Sequence, residues 1–267
     1  MSRSNTSREL RVRMRRQWLR EAVGAMALSV FAGTGPLAAK EPGPAAESTG
    51  GHGRFKHSVC YWCFEKLGLE PLAIQAAAMG IQSIELVKPE QWPILKRHGL
   101  ICAMTASHSF LEGWSHPEHH AQCAAQIKEA VDVTAAAGFP AVITFSGLRK
   151  GMPDYLCDKV EWAVEVCRRI GSERMKILFD IFHVQIMQGD LITRIKHFHP
   201  YIGHYHTAGV PGRHEIDETQ EINYSAVMRA ISDTGFTGFV AQEFLPTREP
   251  LQSLREAVKL CEQGNGK

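Results

Sequence analysis

From Lys56 onward the chain alternates short apolar runs with longer stretches in which apolar residues recur every three or four positions. The runs are KHSVCYW (56–62), QSIELV (82–87), ICAMTAS (101–107), AVITFSG (141–147), KILFDIF (176–182), YIGHYHTA (201–208) and GFVAQEF (238–244). Each is bounded by Gly or polar residues, the form taken by strands buried on both faces. The stretches between them predict helices over 69–79, 117–137, 153–170 and 224–234. Gly80, Gly138, Gly171 and Gly235 follow these stretches and supply the left-handed stop, and Pro250 opens a last helix.

Repeated βα units build either a doubly wound sheet or a closed barrel. No Gly-x-Gly-x-x-Gly follows any strand, so the dinucleotide-binding form of the open sheet loses its support. Asp180, His206 and Glu243 each stand at the C-terminal end of a different predicted strand, the edge at which a (β/α)8 barrel carries its chemistry. The expected fold is therefore α/β, a (β/α)8 TIM-type barrel over residues 54–267. A barrel of about 250 residues spends about 31 on each βα unit. Residues 54–267 suffice for seven, and seven strands are visible. The shortfall lies between AVITFSG and KILFDIF, where there is room for one helix only. The barrel is expected to lack one helix and one strand between strands 4 and 6, near Met152 and Pro153.

Charge divides the chain differently. The formal net charge is +2, but residues 1–39 hold seven Arg against Glu9 and Glu21, which leaves the body near −3. A slightly acidic body argues against nucleic acid as a partner. The basic start, with Arg15–Arg16 followed by Trp18 and Leu19, a weakly apolar stretch and small residues at Ala38–Ala39, reads as a twin-arginine export signal over 1–39. That signal predicts an exported, periplasmic protein; an N-terminal anchor helix or an arbitrary basic tail is the competing reading. The apolar stretch is too short and too rich in Gly and Ala for a stable membrane span. Residues 40–53, KEPGPAAESTGGHG, read as a flexible linker. The seven cysteines show no disulfide framework, and Cys60-x-x-Cys63 lacks the second pair a zinc site needs, so these are read as structural.

Asp180 closes an apolar run, where an ionised carboxylate costs several kcal/mol unless something pairs with it. Two carboxylates and an imidazole from neighbouring strands suit Mn²⁺, Mg²⁺, Co²⁺ or Zn²⁺, and a divalent metal ion would balance that charge. His183, three residues past Asp180, leans over the mouth; His204 shares a strand face with His206 and is either a satisfied core residue or a neighbour of the site. GVPGRHEID (209–217) follows directly, a tight loop that presents Arg213 and His214 above the site. An Arg held there binds a carboxylate or phosphate bidentately; the alternative is a solvated surface loop.

The segments FDIFHVQIMQGD and GHYHTAGVPGRHEID, with GFVAQEFLP, SVCYWCF and SIELVKPEQWPILKRHGL, resemble the hydroxypyruvate isomerases, members of the xylose-isomerase-like sugar isomerase and epimerase barrels. The likeness runs over essentially all of 54–263. It implies Asp180, His206 and Glu243 as metal ligands, Glu243 also as the catalytic proton carrier, and His183 and Arg213 as substrate contacts. It implies a reaction that interconverts hydroxypyruvate and tartronate semialdehyde by proton transfer through an enediolate. The family also places a Glu, both ligand and acid/base, at the end of its fifth strand, inside the segment that is short here. Impaired turnover is the expectation.

The partner expected is a small-molecule substrate, and a homo-oligomer is compatible with the sequence. Two other readings stay open: a keto-sugar epimerase using the same metal and proton shuttle, and a non-catalytic exported remnant that binds metal or a sugar acid. A DNA-repair nuclease of the same broad fold would need a larger metal cluster and a basic groove.

Overall fold

The computed structural model describes residues 54–148 and 157–263 with their side chains, and the backbone of 27–31. Among the described residues, eight strands form one sheet: β1 (Ala27–Phe31), β2 (Lys56–Cys60), β3 (Ser83–Glu85), β4 (Thr105–Ala106), β5 (Ala141–Thr144), β6 (Met175–Asp180), β7 (Ile202–Thr207) and β8 (Phe239–Gln242). Their order is β3-β2-β8-β7-β6-β1-β5-β4. The ring closes where the Ile84 N–H donates to the Ile101 carbonyl at 3.0 Å and the Leu86 N–H to that of Met104 at 2.9 Å, next to a parallel bridge between Ser83 and Ile101. The result is the expected TIM-type barrel.

The strands from β2 to β8 pair in parallel. β1 does not. It runs antiparallel to β5, from Leu28 opposite Thr144 to Phe31 opposite Ala141, and antiparallel to β6, from Ala27 opposite Leu178 to Val30 opposite Met175. Residues 27–31, part of the apolar stretch of the expected export signal, thus stand between β5 and β6. The rest of that signal and the linker (1–26 and 32–53), and the junction at 149–156, lie outside the described residues.

Helices pack around the ring: α1 (Leu69–Ala78), α2 (Trp92–Arg97), α3 (His120–Ala136), α4 (Val160–Ile170), α5 (Ile181–Met187), α6 (Leu191–Phe198), α7 (Tyr224–Asp233) and α8 (Pro250–Glu262). Alternation along each strand divides the apolar residues between two layers. Val59, Ile177, Phe179, Tyr205 and Val240 join helix residues such as Leu72, Ile231 and Leu254 in the large outer core. Met104, Ala141, Ile143 and Leu178 form a small separate cluster; Leu178 shares the face of Asp180, which places this cluster beneath the mouth.

Several expected boundaries move. KILFDIF is a strand only to Asp180; Ile181 and Phe182 already belong to α5, because a short run buried on all sides carries no period to separate strand from helix. ICAMTAS keeps only Thr105–Ala106 as strand. The helix expected from Pro153 begins at Val160, after 153–156, which lie outside the described residues; its end at Gly171, with φ 66°, is as expected. Pro117–His119 is a 3-10 turn leading into α3. Among the described residues no helix is long and apolar enough to cross a membrane.

Candidate metal centre

Register brings the three strand-end residues together. Asp180, the last residue of β6, pairs with His206 on β7. Thr207 pairs with Gln242 on β8, and the Glu243 N–H continues that ladder to the Thr207 carbonyl at 2.9 Å. One ligand atom from each of Asp180, His206 and Glu243 lies within 4.8 Å of the others, and all three side chains are buried.

Asp180 is also the N-cap of α5. Its Oδ1 accepts from the backbone N–H groups of Phe182 at 2.9 Å and His183 at 3.3 Å, donors that the first turn of a helix leaves free. Its Oδ2 faces Arg213 Nη2 at 3.4 Å and His183 Nε2 at 3.5 Å. The partner of this buried acid is therefore a helix N-terminus on one oxygen and a guanidinium on the other.

Arg213 is 2% exposed, not a solvated loop residue. It sits at φ 59°, a left-handed conformation uncommon for a residue with a Cβ, and its carbonyl accepts from Leu245 N–H at 2.7 Å. Its Nη2 donates to Glu243 Oε2 at 2.5 Å and its Nε to the Glu243 carbonyl at 3.2 Å. Its Nη1 approaches His183 Nε2 at 3.3 Å. The rings of Trp62 and Phe182 flank the guanidinium at 5.1 and 5.3 Å, and Trp62 Nε1 donates to Glu243 Oε1 at 3.0 Å. His183 thus lies in the cluster, against Asp180 and Arg213. His214 does not: it is exposed, with Nδ1 on the Leu245 carbonyl at 3.0 Å.

Beneath the trio lies an acid that the sequence reading did not single out. Glu85, at the end of β3, is wholly buried, with Oε2 at 3.0 Å from His206 Nε2 and Oε1 at 2.9 Å from His204 Nε2. The other ring nitrogen of His206, Nδ1, meets Glu243 Oε2 at 2.7 Å. Cys60 Sγ lies 3.8 Å from His206 Nε2. Trp62 was likewise missed; its only signal is its place just past the first strand. Glu85 had the same signal as Asp180, an acid closing an apolar run.

These contacts separate the two mouth carboxylates electrically. Burial pushes Asp180 up to about 7, and the nearby Arg213 offsets only part of that. Burial also works against the charged form of Glu243, but Arg213, His206 and Trp62 outweigh it and hold this carboxyl well below its usual range. For Glu85, burial is outweighed by His204 and His206, which bring it down to about 2. Burial, then Arg213, keep His183 well below the usual imidazole value, so the neutral ring accepts from the guanidinium. Against burial, Cys60 and Glu243 hold His206 well above it. Arg213 and the protonated His206 balance Glu243 and Glu85, and Asp180 retains its proton toward neutral pH. With His206 and Asp180 deprotonated, the donors, two carboxylates and an imidazole, fit a divalent ion of hard to borderline character.

Comparison with known proteins gives a consistent lineage. Residues 76–263 match the family model described as xylose isomerase-like TIM barrel. A provisionally named hydroxypyruvate isomerase of Homo sapiens is 34% identical over 102 residues, 38% of this chain and 37% of that protein. A 2-oxo-tetronate isomerase of Cupriavidus necator is 32% identical over 117 residues, 44% of each chain. The matched segments thus span about a third to a half of these relatives' length. Among solved structures, AP endonuclease, family 2, from Brucella melitensis superposes with a TM-score of 0.68 at 20% identity, covering 76% of this chain and 97% of that one. D-psicose 3-epimerase in the presence of D-fructose superposes with a TM-score of 0.59 at 13% identity, over 77% of this chain and 96% of the other. At such identities the superpositions show a shared fold.

Proposed function

The chain belongs to the xylose isomerase-like TIM barrel family, and on that premise we propose that it is a metal-dependent isomerase of a small hydroxy-carbonyl acid such as hydroxypyruvate. The observation that carries this reading is the convergence of Asp180, His206 and Glu243 within 4.8 Å, with Arg213 against them. The relatives named for hydroxypyruvate and 2-oxo-tetronate isomerisation point to the same substrate class.

Asp180, His206 and Glu243 would hold the ion. A divalent ion there supplies Lewis acidity toward adjacent carbonyl and hydroxyl oxygens. Arg213, between the rings of Trp62 and Phe182, would take a substrate carboxylate by giving up its present contacts to Asp180 and Glu243. His183, neutral and hydrogen-bonded to Arg213, orients a substrate oxygen at the rim. Glu243 is the proton carrier, moving a proton between the two reacting carbons of the acid while Trp62 fixes its outer oxygen.

One carboxylate then does the work that the family divides between two. The stave at the fifth position, Ala-Leu-Ser-Val-Phe, contains no acid. Slow turnover follows. The same observation favours one other reading, a non-catalytic binder of metal and sugar acid.

The deciding experiment incubates the Mn²⁺-loaded protein with hydroxypyruvate in deuterated water. Deuterium in the recovered acid, lost in Glu243→Gln by at least about a hundredfold, is the expected result. Metal binding without deuterium incorporation would assign the binder, and incorporation into a ketohexose instead would assign an epimerase.

A further inference from the structure

β1 is out of place in a parallel barrel. Each βα unit delivers its strand in the same direction, so a strand running the other way is not a member of that succession. It enters as an added strand. Its two neighbours, β5 and β6, each present four residues to it in register, and among the described residues no pairing joins β5 to β6. Without β1 these two strands would each turn an unpaired row of N–H and C=O groups toward a gap, the arrangement that draws in a foreign strand. The residue types fit such a slot: Ala27, Leu28, Val30 and Phe31 are apolar, and Ser29 alone is polar.

We infer that the gap between β5 and β6 is a strand-acceptor site for an extended, apolar, antiparallel segment, filled in this chain by its own residues 27–31. The inference stands on topology and is independent of the metal centre. It has a direct consequence for the basic N-terminus. The five residues that seal the barrel are also those a leader would present as its apolar stretch. A segment whose backbone is seated in the sheet is not available to a second receptor, so closing the barrel and exposing the leader exclude one another.

Hydrogen exchange read by mass spectrometry on the full-length chain tests this. Amides of 27–31 are expected to exchange at least about a hundredfold more slowly than in an unstructured chain. In Val30→Pro, which removes a backbone donor, faster exchange should spread from 27–31 to 141–144 and 175–178. A synthetic peptide of residues 25–33 should restore protection to these two strands in the variant and leave the wild type unchanged. Unstructured-chain exchange at 27–31 in the wild type would overturn the proposal, and that measurement stands even if Val30→Pro fails to fold. So would a folded variant whose β5 and β6 keep full protection. Protection of 27–31 that rises with protein concentration would overturn the assignment in cis, since the strand would then come from a second copy.

Discussion

Arg213 does two things at one position. It neutralises Glu243 and part of Asp180, and by doing so it competes with any divalent ion for the same oxygens. Two unit charges 4 Å apart interact by about 4 kcal/mol at an effective dielectric of 20, so the competition is not small. Replacing Arg213 with Gln should tighten Mn²⁺ binding by about tenfold or more in a calorimetric titration while weakening binding of the substrate acid; weaker metal binding would show that the guanidinium does not oppose the ion. The residues of this pocket were unequally legible. Asp180, His206 and Glu243 stood out because polar groups at the ends of apolar runs have few explanations. The burial of Arg213 did not, because a Gly- and Pro-rich loop reads as surface until its partners are known. Glu85 passed unremarked inside SIELV, although the run around Asp180 has the same form.

At the scale of elements, Glu215 ties the loop after β7 to the start of α8. Its Oε1 accepts from Thr247 N–H and Ser253 Oγ, each at 2.9 Å, and its Oε2 from Thr247 Oγ1 at 2.9 Å. Burial works against the carboxylate, but these donors outweigh it and hold Glu215 at about 2, below its ordinary 4.5. A folded-state value below the unfolded one stabilises at pH above about 4.5, and that contribution disappears as pH falls through about 2. It amounts to about 3 kcal/mol at neutral pH. Urea unfolding of Glu215→Gln should show most of that loss at pH 7 and a flatter stability between pH 5 and 2 than the wild type; parallel acid limbs would exclude the tie. Four helices, α1, α3, α4 and α7, were readable from their glycine stops, whereas the short α2 and α6 were not expected. α5 was not, because Ile181, Phe182, His183 and Val184 are all buried and its first turn continues an apolar strand without a break.

For the molecule as a whole, seven staves could be counted from the pattern and the eighth could not. Residues 27–31 read as part of a leader, since nothing in ALSVF distinguishes an apolar stretch destined for a receptor from one destined for a sheet. Their place in the sheet comes from long-range pairing to β5 and β6, which the local pattern does not encode. Replacing residues 149–156 with a βα unit whose strand ends in Glu should give the slot a parallel occupant. Metal affinity and isomerase turnover should then both rise, and residues 27–31 should return to the exchange rate of a free chain. Unchanged turnover with a correctly inserted strand would mean that the missing acid is not what limits this protein.

The reversed direction of β1 also sets which of its two ends lies at the mouth. Ala27 is level with Leu178, two residues from Asp180, while Phe31 is level with Ala141 at the far end. The segment 27–31 therefore begins at the edge of the sheet that carries Asp180, His206 and Glu243, and ends at the opposite edge.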